Sequence, residues 1–383
     1  MGVFQQAVRI RPGPTFWSVR EVAMKTRITE LLGIRYPVLS PGMTYVSNAD
    51  LVAAVSNAGG LGILAVGHLT ADETRAEIRR TRTLTEKPFG VGVALIMPGA
   101  ARNAEIAIEE KVAVLNFSLG KGDWICERVH AYGGKVLATV VNEKHAQAAE
   151  RSGVDGLIVT GHEAAAHGGD VTSLVLIPAI RRISGLPIIA TGGFGTGGGL
   201  VAALALGADA IAMGTRFATA TESPVHANTK KMVTEKSVSE TLYSPNFDGM
   251  PCRVMKTPSA IKATAKPLSL PRAAFKALQA ANELGRPLLS IVRDVLKQGL
   301  MQTLQLAYFG AATLQLRRAI LDGDHEKGVQ LIGQVQGLVR DVVPVDVIMQ
   351  RIMQEADQAL ADVSAHFSPA SSRTIPEVEH GNA

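Results

Sequence analysis

The chain has 383 residues, of which 46% are hydrophobic, 4% aromatic and 19% charged, and 38 are glycine. That length buries a full core, and the glycine-rich, aromatic-poor balance suits close-packed α/β units rather than a β-sandwich or a base-stacking nucleic-acid platform. Lys and Arg number 39 against 34 Asp and Glu, a net charge of +5; two cysteines exclude a disulfide framework or an all-sulfur zinc site, and no apolar window approaches the ~18 residues of a membrane span.

Residues 1–24 carry Arg9, Arg11 and Arg20 but no apolar signal core, so they are expected to form an N-terminal extension without a secretory role. Met24 with Lys25-Thr26-Arg27-Ile28 reads like a start. Cysteine usage points to a reducing, cytoplasmic setting. From residue 25 to 222 short apolar runs recur with a steady beat: Pro37-Val38-Leu39, Gly62 to Val66, Val91 to Leu95, Val112 to Phe117, Lys135 to Val140, Gly156 to Val159, Pro187 to Ala190 and Ala210 to Met213. Near-continuous apolar runs mark strands buried on both faces of a parallel sheet. Amphipathic stretches lie between them, as at Asn48 to Ala58, Asn142 to Ser152 and Gly199 to Leu206. Eight evenly spaced strand–helix units predict a (β/α)8 TIM barrel, with an open doubly wound sheet as the competing α/β architecture. Gly59, Gly153 and Gly207 each sit between a helix end and the next strand, where a left-handed residue is wanted.

Beyond the barrel the pattern changes. Residues 223–366 read as an added C-terminal helical subdomain on the barrel mouth, without buried strands. Its helices are expected at Ile291 to Lys297, Leu304 to Leu321, Gly328 to Arg340 and Val345 to Leu360, and residues 367–383 as a flexible tail. The segment 256–318 holds ten Lys or Arg and two acids, Glu283 and Asp294, hence +8; the remainder of the chain is 5 − 8 = −3. A solvated helical face explains such a run, and so does a surface for an anionic partner or nucleotide. A homo-oligomer is compatible with the sequence.

Barrel enzymes act at the loops that follow the strands. Two adjacent units end in glycine-rich loops, Thr191-Gly192-Gly193 to Gly199 and Met213-Gly214-Thr215-Arg216-Phe217. Exposed main-chain N–H groups on the last two strands are how a barrel receives a phosphate. The sixth strand runs into Thr160-Gly161-His162-Glu163-Ala164-Ala165-Ala166-His167-Gly168-Gly169. Five residues of helix turn about 500°, which separates the two imidazoles and argues against a zinc site. A histidine set among small residues at a strand end fits proton transfer near neutral pH, or else a bond to the backbone; His167 is the candidate for the first and His162 for the second.

These segments resemble the nitronate monooxygenase family, formerly 2-nitropropane dioxygenases, which also includes flavin-dependent enoyl-ACP reductases. The resemblance rests on Tyr36-Pro37-Val38-Leu39-Ser40-Pro41-Gly42-Met43, Glu163 to Gly168, Thr191-Gly192-Gly193, Gly214 to Phe217 and Ile332 to Leu338. It implies an FMN at the barrel mouth, touched by Pro41, Gly42 and Met43 and by Thr139, Thr160 and Ala165. Its phosphate would sit on Gly192, Gly193, Gly214 and Thr215, with Thr191 also binding the cofactor, His167 as the catalytic residue and no metal. It further implies oxidation of alkyl nitronates, or nitroalkanes, by O2 to a carbonyl compound and nitrite. The alternative within the family is an NAD(P)H-dependent reductase of quinones or enoyl thioesters. In either case the partners are a small-molecule substrate, with O2 for the first, and neither nucleic acid nor membrane. The chain departs from the family at Ala165 and Ala166, where glycines are usual, and at Gly92, where an Asn is usual.

Overall fold

The computed structural model describes residues 24–165, 167–283 and 300–367. Eight parallel strands close into a barrel in sequence order: β1 (Val38–Ser40), β2 (Leu61–Ala65), β3 (Gly90–Ala94), β4 (Val114–Ser118), β5 (Lys135–Val140), β6 (Gly156–Thr160), β7 (Ile188–Thr191) and β8 (Ala210–Ala212). Closure is direct, since Val38 and Leu39 pair with Ile211 and Ala212. The expected (β/α)8 barrel is therefore the fold, and closure decides against the open sheet. Its interior is a cluster that includes Leu39, Ile63, Leu137, Ile158 and Ile189, with α1 (Arg27–Leu32) placing Ile28 and Leu32 in the same cluster.

The outer ring is α2 (Ala49–Asn57), α3 (Ala71–Leu84), α4 (Ala100–Glu109), α5 (Asp123–His130), α6 (Glu143–Arg151), α7 (Ser173–Ile183) and α8 (Gly197–Ala205), with the single short turn α9 (Gly214–Ala218) after the last strand. Local sequence sets the boundaries. Asn48 and Asn142 accept from the backbone N–H groups of Leu51 and His145, and Thr70 and Glu73 form a capping box, each satisfying donors that a helix start leaves free. Gly59, Gly153 and Gly207 hold φ of 95°, 84° and 95°, the left-handed turns that their positions predict.

Past α9 come α10 (Ala227–Glu235), β9 (Thr241–Ser244), β10 (Cys252–Met255), α11 (Pro258–Ala265), α12 (Leu270–Glu283), α13 (Leu300–Leu321) and α14 (Val345–His366). The expectation of helices without buried strands fails here. β9 and β10 pair antiparallel, and β10 is buried along its whole length. Cys252 and Val254 pack with Ala260, Ala312 and Val329 under α11 and α13. Four-residue strands bounded by Pro245 and Pro251 are too short to show a period of their own. The helix expected over Gly328 to Arg340 is also absent: Leu331 bridges to Val254, and only a 3₁₀ turn, Gln334–Leu338, forms. Three glycines account for this. A Cβ at Gly328 would meet Asp324 O at 2.3 Å, one at Gly333 would meet Glu163 O at 3.0 Å, and one at Gly337 would meet Val238 at 2.4 Å. Close approach of other chain segments, rather than a helical ladder, is their use, and glycine weakens helices in any case. The helix expected at Ile291 to Lys297 lies outside the described residues, as do residues 1–23 and 368–383. Among the described residues no helix is long and apolar enough to cross a membrane.

The last helix returns to the barrel. α14 packs on α8, burying Ile348, Met349, Ile352 and Met353, and Glu355 accepts from the backbone N–H of Gly197 at 2.8 Å. A carboxylate at a helix start is favourable on charge as well as hydrogen bonding. The contact tolerates no side chain, because a Cβ at Gly197 would meet Ala356 N at 2.2 Å and Ile352 O at 2.3 Å. Gly197→Ala is therefore expected to destabilise by roughly 1–3 kcal/mol through overpacking. Gly198→Ala, whose Cβ would find only Ala359 Cβ at 4.0 Å, should be neutral or stabilising by up to about 1 kcal/mol. Equal denaturation midpoints for the two variants would disprove the close fit.

His325 gives the fold a pH dependence. Thr229 donates to Ala319 O at 2.6 Å, so its oxygen receives the Nε2–H of His325 at 2.8 Å. Nδ1 is buried with no hydrogen-bond partner, and burial pushes the imidazole below its ordinary value of 6.5. The unfolded chain then binds the proton more readily than the folded one, so stability present above about 6.5 is lost as pH falls below it. Thermal unfolding between pH 7 and 5 should show this loss, and His325→Gln should show a smaller one. Identical pH profiles would remove His325 as a contributor.

Candidate active site

Every residue singled out for the site lines one cavity of about 1480 Å3 at the C-terminal ends of the strands: Pro41, Gly42, Met43, Thr139, Thr160, Ala165, His167, Thr191, Gly192, Gly193, Gly214 and Thr215. The cavity continues from the barrel mouth between the strand ends and α12 and α13, where its wall is alanine, leucine and phenylalanine.

The β1 loop is rigid. Ser47 Oγ donates to Pro41 O at 2.8 Å and accepts from Met43 N at 3.0 Å, so the amide of Met43 is already engaged. Gly42 lies against Gly92, and a Cβ on Gly92 would meet Ile63 Cγ2 at 3.2 Å and Gly42 Cα at 3.6 Å. An Asn at position 92 would crowd this contact. The next strand supplies one instead: Asn116 on β4 is registered opposite Gly92, is buried, and exchanges hydrogen bonds with Thr139 at 3.1 and 3.2 Å. Sequence reasoning missed Asn116; an amide in the middle of a mostly apolar strand was the available signal. Beside it, Thr160 Oγ1 is buried with no partner, whereas Thr191 Oγ1 donates to Ala212 O at 3.0 Å and pins β7 to β8.

Gly192 and Gly193 have φ of 101° and 82°, which side chains rarely adopt. A Cβ on Gly214 would contact only Met43 Sδ at 3.5 Å and Pro41 Cγ at 3.9 Å. Thr215 Oγ1 accepts from Gly333 N at 3.1 Å, which ties the 3₁₀ region to the same corner. Glu163 runs past Gly193, but its carboxylate is spent on the start of α7, taking the N–H of Ser173 at 3.1 and 3.0 Å and its hydroxyl at 3.0 Å.

The loop after β6 is held from outside the barrel. Arg253 on β10 donates to His162 O at 3.2 and 2.8 Å and to Thr241 Oγ1 at 2.9 Å, and its guanidinium lies over the Tyr243 ring, 5.2 Å from the centroid. Burial pushes this guanidinium down and, chiefly, the Tyr243 phenol up. Tyr243 donates to Gly168 O at 2.9 Å. His162 bonds through Nδ1 to Gly169 O at 3.0 Å and stacks edge-on to Tyr243; it is outside the cavity wall. The two histidines thus divide as their surroundings suggest. His167 faces the cavity, with Nε2 2.9 Å from Asp248 Oδ2 and its ring edge-on to Phe309 at 5.4 Å. Asp248 comes from the turn between β9 and β10, the hairpin that sequence periodicity concealed.

A closed parallel barrel with a deep apolar cavity at its C-terminal face and an imidazole at the wall is the plan of a (β/α)8 enzyme. The chain belongs to the nitronate monooxygenase family, an oxidoreductase family whose model matches residues 25–120 and 96–355. It is 34% identical over 352 residues, 89% of this chain and 99% of the relative, to the (3aS,4S,5R,7aS)-5-hydroxy-7a-methyl-1-oxo-octahydro-1H-indene-4-carboxyl-CoA dehydrogenase of Mycobacterium tuberculosis. It is 32% identical over 280 residues to a nitronate monooxygenase of Paraburkholderia phytofirmans, covering 60% of this chain and 76% of that protein. Among solved structures, FabK from Thermotoga maritima superposes with a TM-score of 0.74 at 34% identity, over 90% of this chain and 99% of its own.

Proposed function

We propose that this chain is an FMN-dependent oxidoreductase that acts at the Cα–Cβ bond of an acyl thioester carrying a bulky apolar acyl group. The cavity volume carries the reading. About 1480 Å3 exceeds the ~300–1,000 Å3 of ordinary ligand pockets, so a flavin leaves room for a second large ligand. The space beyond the barrel mouth is bounded by Ala277 and Leu278 of α12 and Leu306, Phe309 and Leu316 of α13, a surface suited to a hydrocarbon framework. Lys262, Lys266, Arg272 and Lys276 are exposed on α11, on α12 and between them, so the phosphates of a nucleotide-bearing thioester would meet cations beside the apolar wall. Relatives matched along nearly their whole length include the carboxyl-CoA dehydrogenase, which supports the same class.

The residues present fit an FMN. Gly192, Gly193 and Gly214 let a phosphate come against the main chain, and Thr215 keeps its O–H to donate to it. Thr160 offers a buried hydroxyl without a partner, and Asn116 and Thr139 offer amide and hydroxyl edges to the ring or its ribityl chain. Pro41, Gly42, Met43 and Ala165 would bound the ring; the engaged Met43 amide makes that contact one of shape. Bound flavin would supply hydride acceptance or donation. His167 would remove the α-proton, and the apolar wall would keep water from the reacting carbon.

Nitronate oxidation is the second reading, favoured by the family match and by the Paraburkholderia relative. An acyl thioester and a neutral nitroalkane both have a carbon acidified by a neighbouring electron-withdrawing group and would use the same base, whereas a preformed nitronate has already lost that proton. Anaerobic mixing separates them. Cyclohexanecarboxyl-CoA is expected to bleach the flavin, or cyclohexenecarboxyl-CoA to reoxidise the reduced protein, faster than ethyl nitronate bleaches it. Bleaching by the nitronate alone would make nitronate oxidation the activity. Rapid reduction by NADPH or NADH would identify the electron donor of a reductase.

Gly193→Asp tests the phosphate site. A carboxylate within about 4 Å of a phosphate costs on the order of 4 kcal/mol at an effective dielectric of ~20, so the soluble variant should purify nearly colourless. The flavin released from the parent by heat should chromatograph as FMN. Full occupancy in the variant would take Gly193 out of the site, and released FAD would overturn the choice of cofactor.

A further inference from the structure

We propose that Asp248 is a positioning residue for proton transfer, fixing His167 as the tautomer whose Nδ1 is the base. This rests on reading His167 as the proton acceptor. Asp248 is 2% exposed, and both carboxylate oxygens are engaged: Oδ1 accepts from Met250 N at 3.1 Å and Oδ2 lies 2.9 Å from His167 Nε2. An ionised carboxylate only accepts, so the imidazole must donate through Nε2–H, and the neutral ring then carries its lone pair on Nδ1. Phe309 fixes the plane of the ring from α13, and Gln305, four residues earlier on the same helix, donates to Asp248 O at 2.9 Å. The turn that carries Asp248 is therefore anchored to the helix that walls the cavity.

The alternative is a purely structural bond that ties the β9–β10 turn to the loop after β6. Arg253 and Tyr243 already make that attachment with three hydrogen bonds to His162 and Gly168, so Asp248 is not needed for it. What Asp248 adds is charge. When Nδ1 takes a proton from the substrate carbon, the C–H electron pair stays on that carbon as enolate or nitronate, an N–H bond forms, and the imidazolium faces a carboxylate. A carboxylate behind an imidazole holds both tautomer and charge in this way in other enzymes.

Three variants of the flavin-loaded protein, Asp248→Asn, His167→Asn and the double substitution, test this with two readouts. Nitrogen NMR of protein labelled in histidine should show His167 protonated at Nε2 and bare at Nδ1 in the parent, and a mixture of tautomers in Asp248→Asn. Loss of deuteron from C1-deuterated nitroethane or Cα-deuterated cyclohexanecarboxyl-CoA should slow at least about 10²-fold in Asp248→Asn, with KM little changed. The double variant should be no slower than His167→Asn, because Asp248 acts through His167. An Nδ1–H tautomer in the parent overturns the proposal even if Asp248→Asn fails to fold. Unchanged deuteron loss in Asp248→Asn, with His167→Asn inactive, overturns it and leaves His167 as the base. Full deuteron loss in His167→Asn instead removes the reading on which the proposal rests.

Discussion

A buried guanidinium decides where the site's mobile chemistry can be. Among its described residues the loop after β6 has no helix or strand, so its place is set by contacts made to it from elsewhere. Arg253 takes the carbonyl of His162 in a two-pronged grip while stacked on Tyr243. Tyr243 then holds Gly168 one residue beyond His167. Loop and hairpin form one body, and the imidazole of His167 inherits its position from it. A lysine would reach the same carbonyl with a single point charge and lose both fork and stacking.

The barrel was readable because its information is local and repeated. Each strand is a largely apolar run, and several helix-to-strand turns carry a glycine with positive φ, as at Gly59, Gly153 and Gly207. The glycine corner was readable for the same reason, since Gly192, Gly193 and Gly214 stand at fixed places on consecutive units and line the cavity. What escaped is information held between distant parts of the chain. Cys252–Met255 is a strand only because α11 and α13 cover it and Leu331 bridges to it. Gly333 and Gly337 read as members of a helical pattern, yet their lack of a side chain serves contacts with Glu163 and Val238. Asp248 lies 81 positions from His167, and no spacing rule connects them.

The departures from the family pattern look different in three dimensions. Gly92 is not simply a lost amide, because its Cα side is pressed against Gly42 and Ile63, and the amide reappears on the adjacent strand as Asn116. Ala165 keeps its place on the cavity wall, next to the amide that Gly333 approaches. A methyl group there narrows the space near His167 while the cavity opens toward α12 and α13.

The carboxylate of Glu355 at the start of α8 has a consequence for the order in which the molecule matures. Glu355 is 158 residues downstream of Gly197. At about 5–20 residues per second of ribosomal synthesis, that interval is roughly 8–30 s. Throughout it α8 is already made, with Thr196 capping the N–H of Gly199, but lacks the Glu355 carboxylate and the apolar cover of α14. The nascent barrel passes through a stage with eight strands in hand and the start of α8 still uncovered. A chain that stalls before α14 is a barrel whose α8 still lacks the cover of Ile348, Met349, Ile352 and Met353.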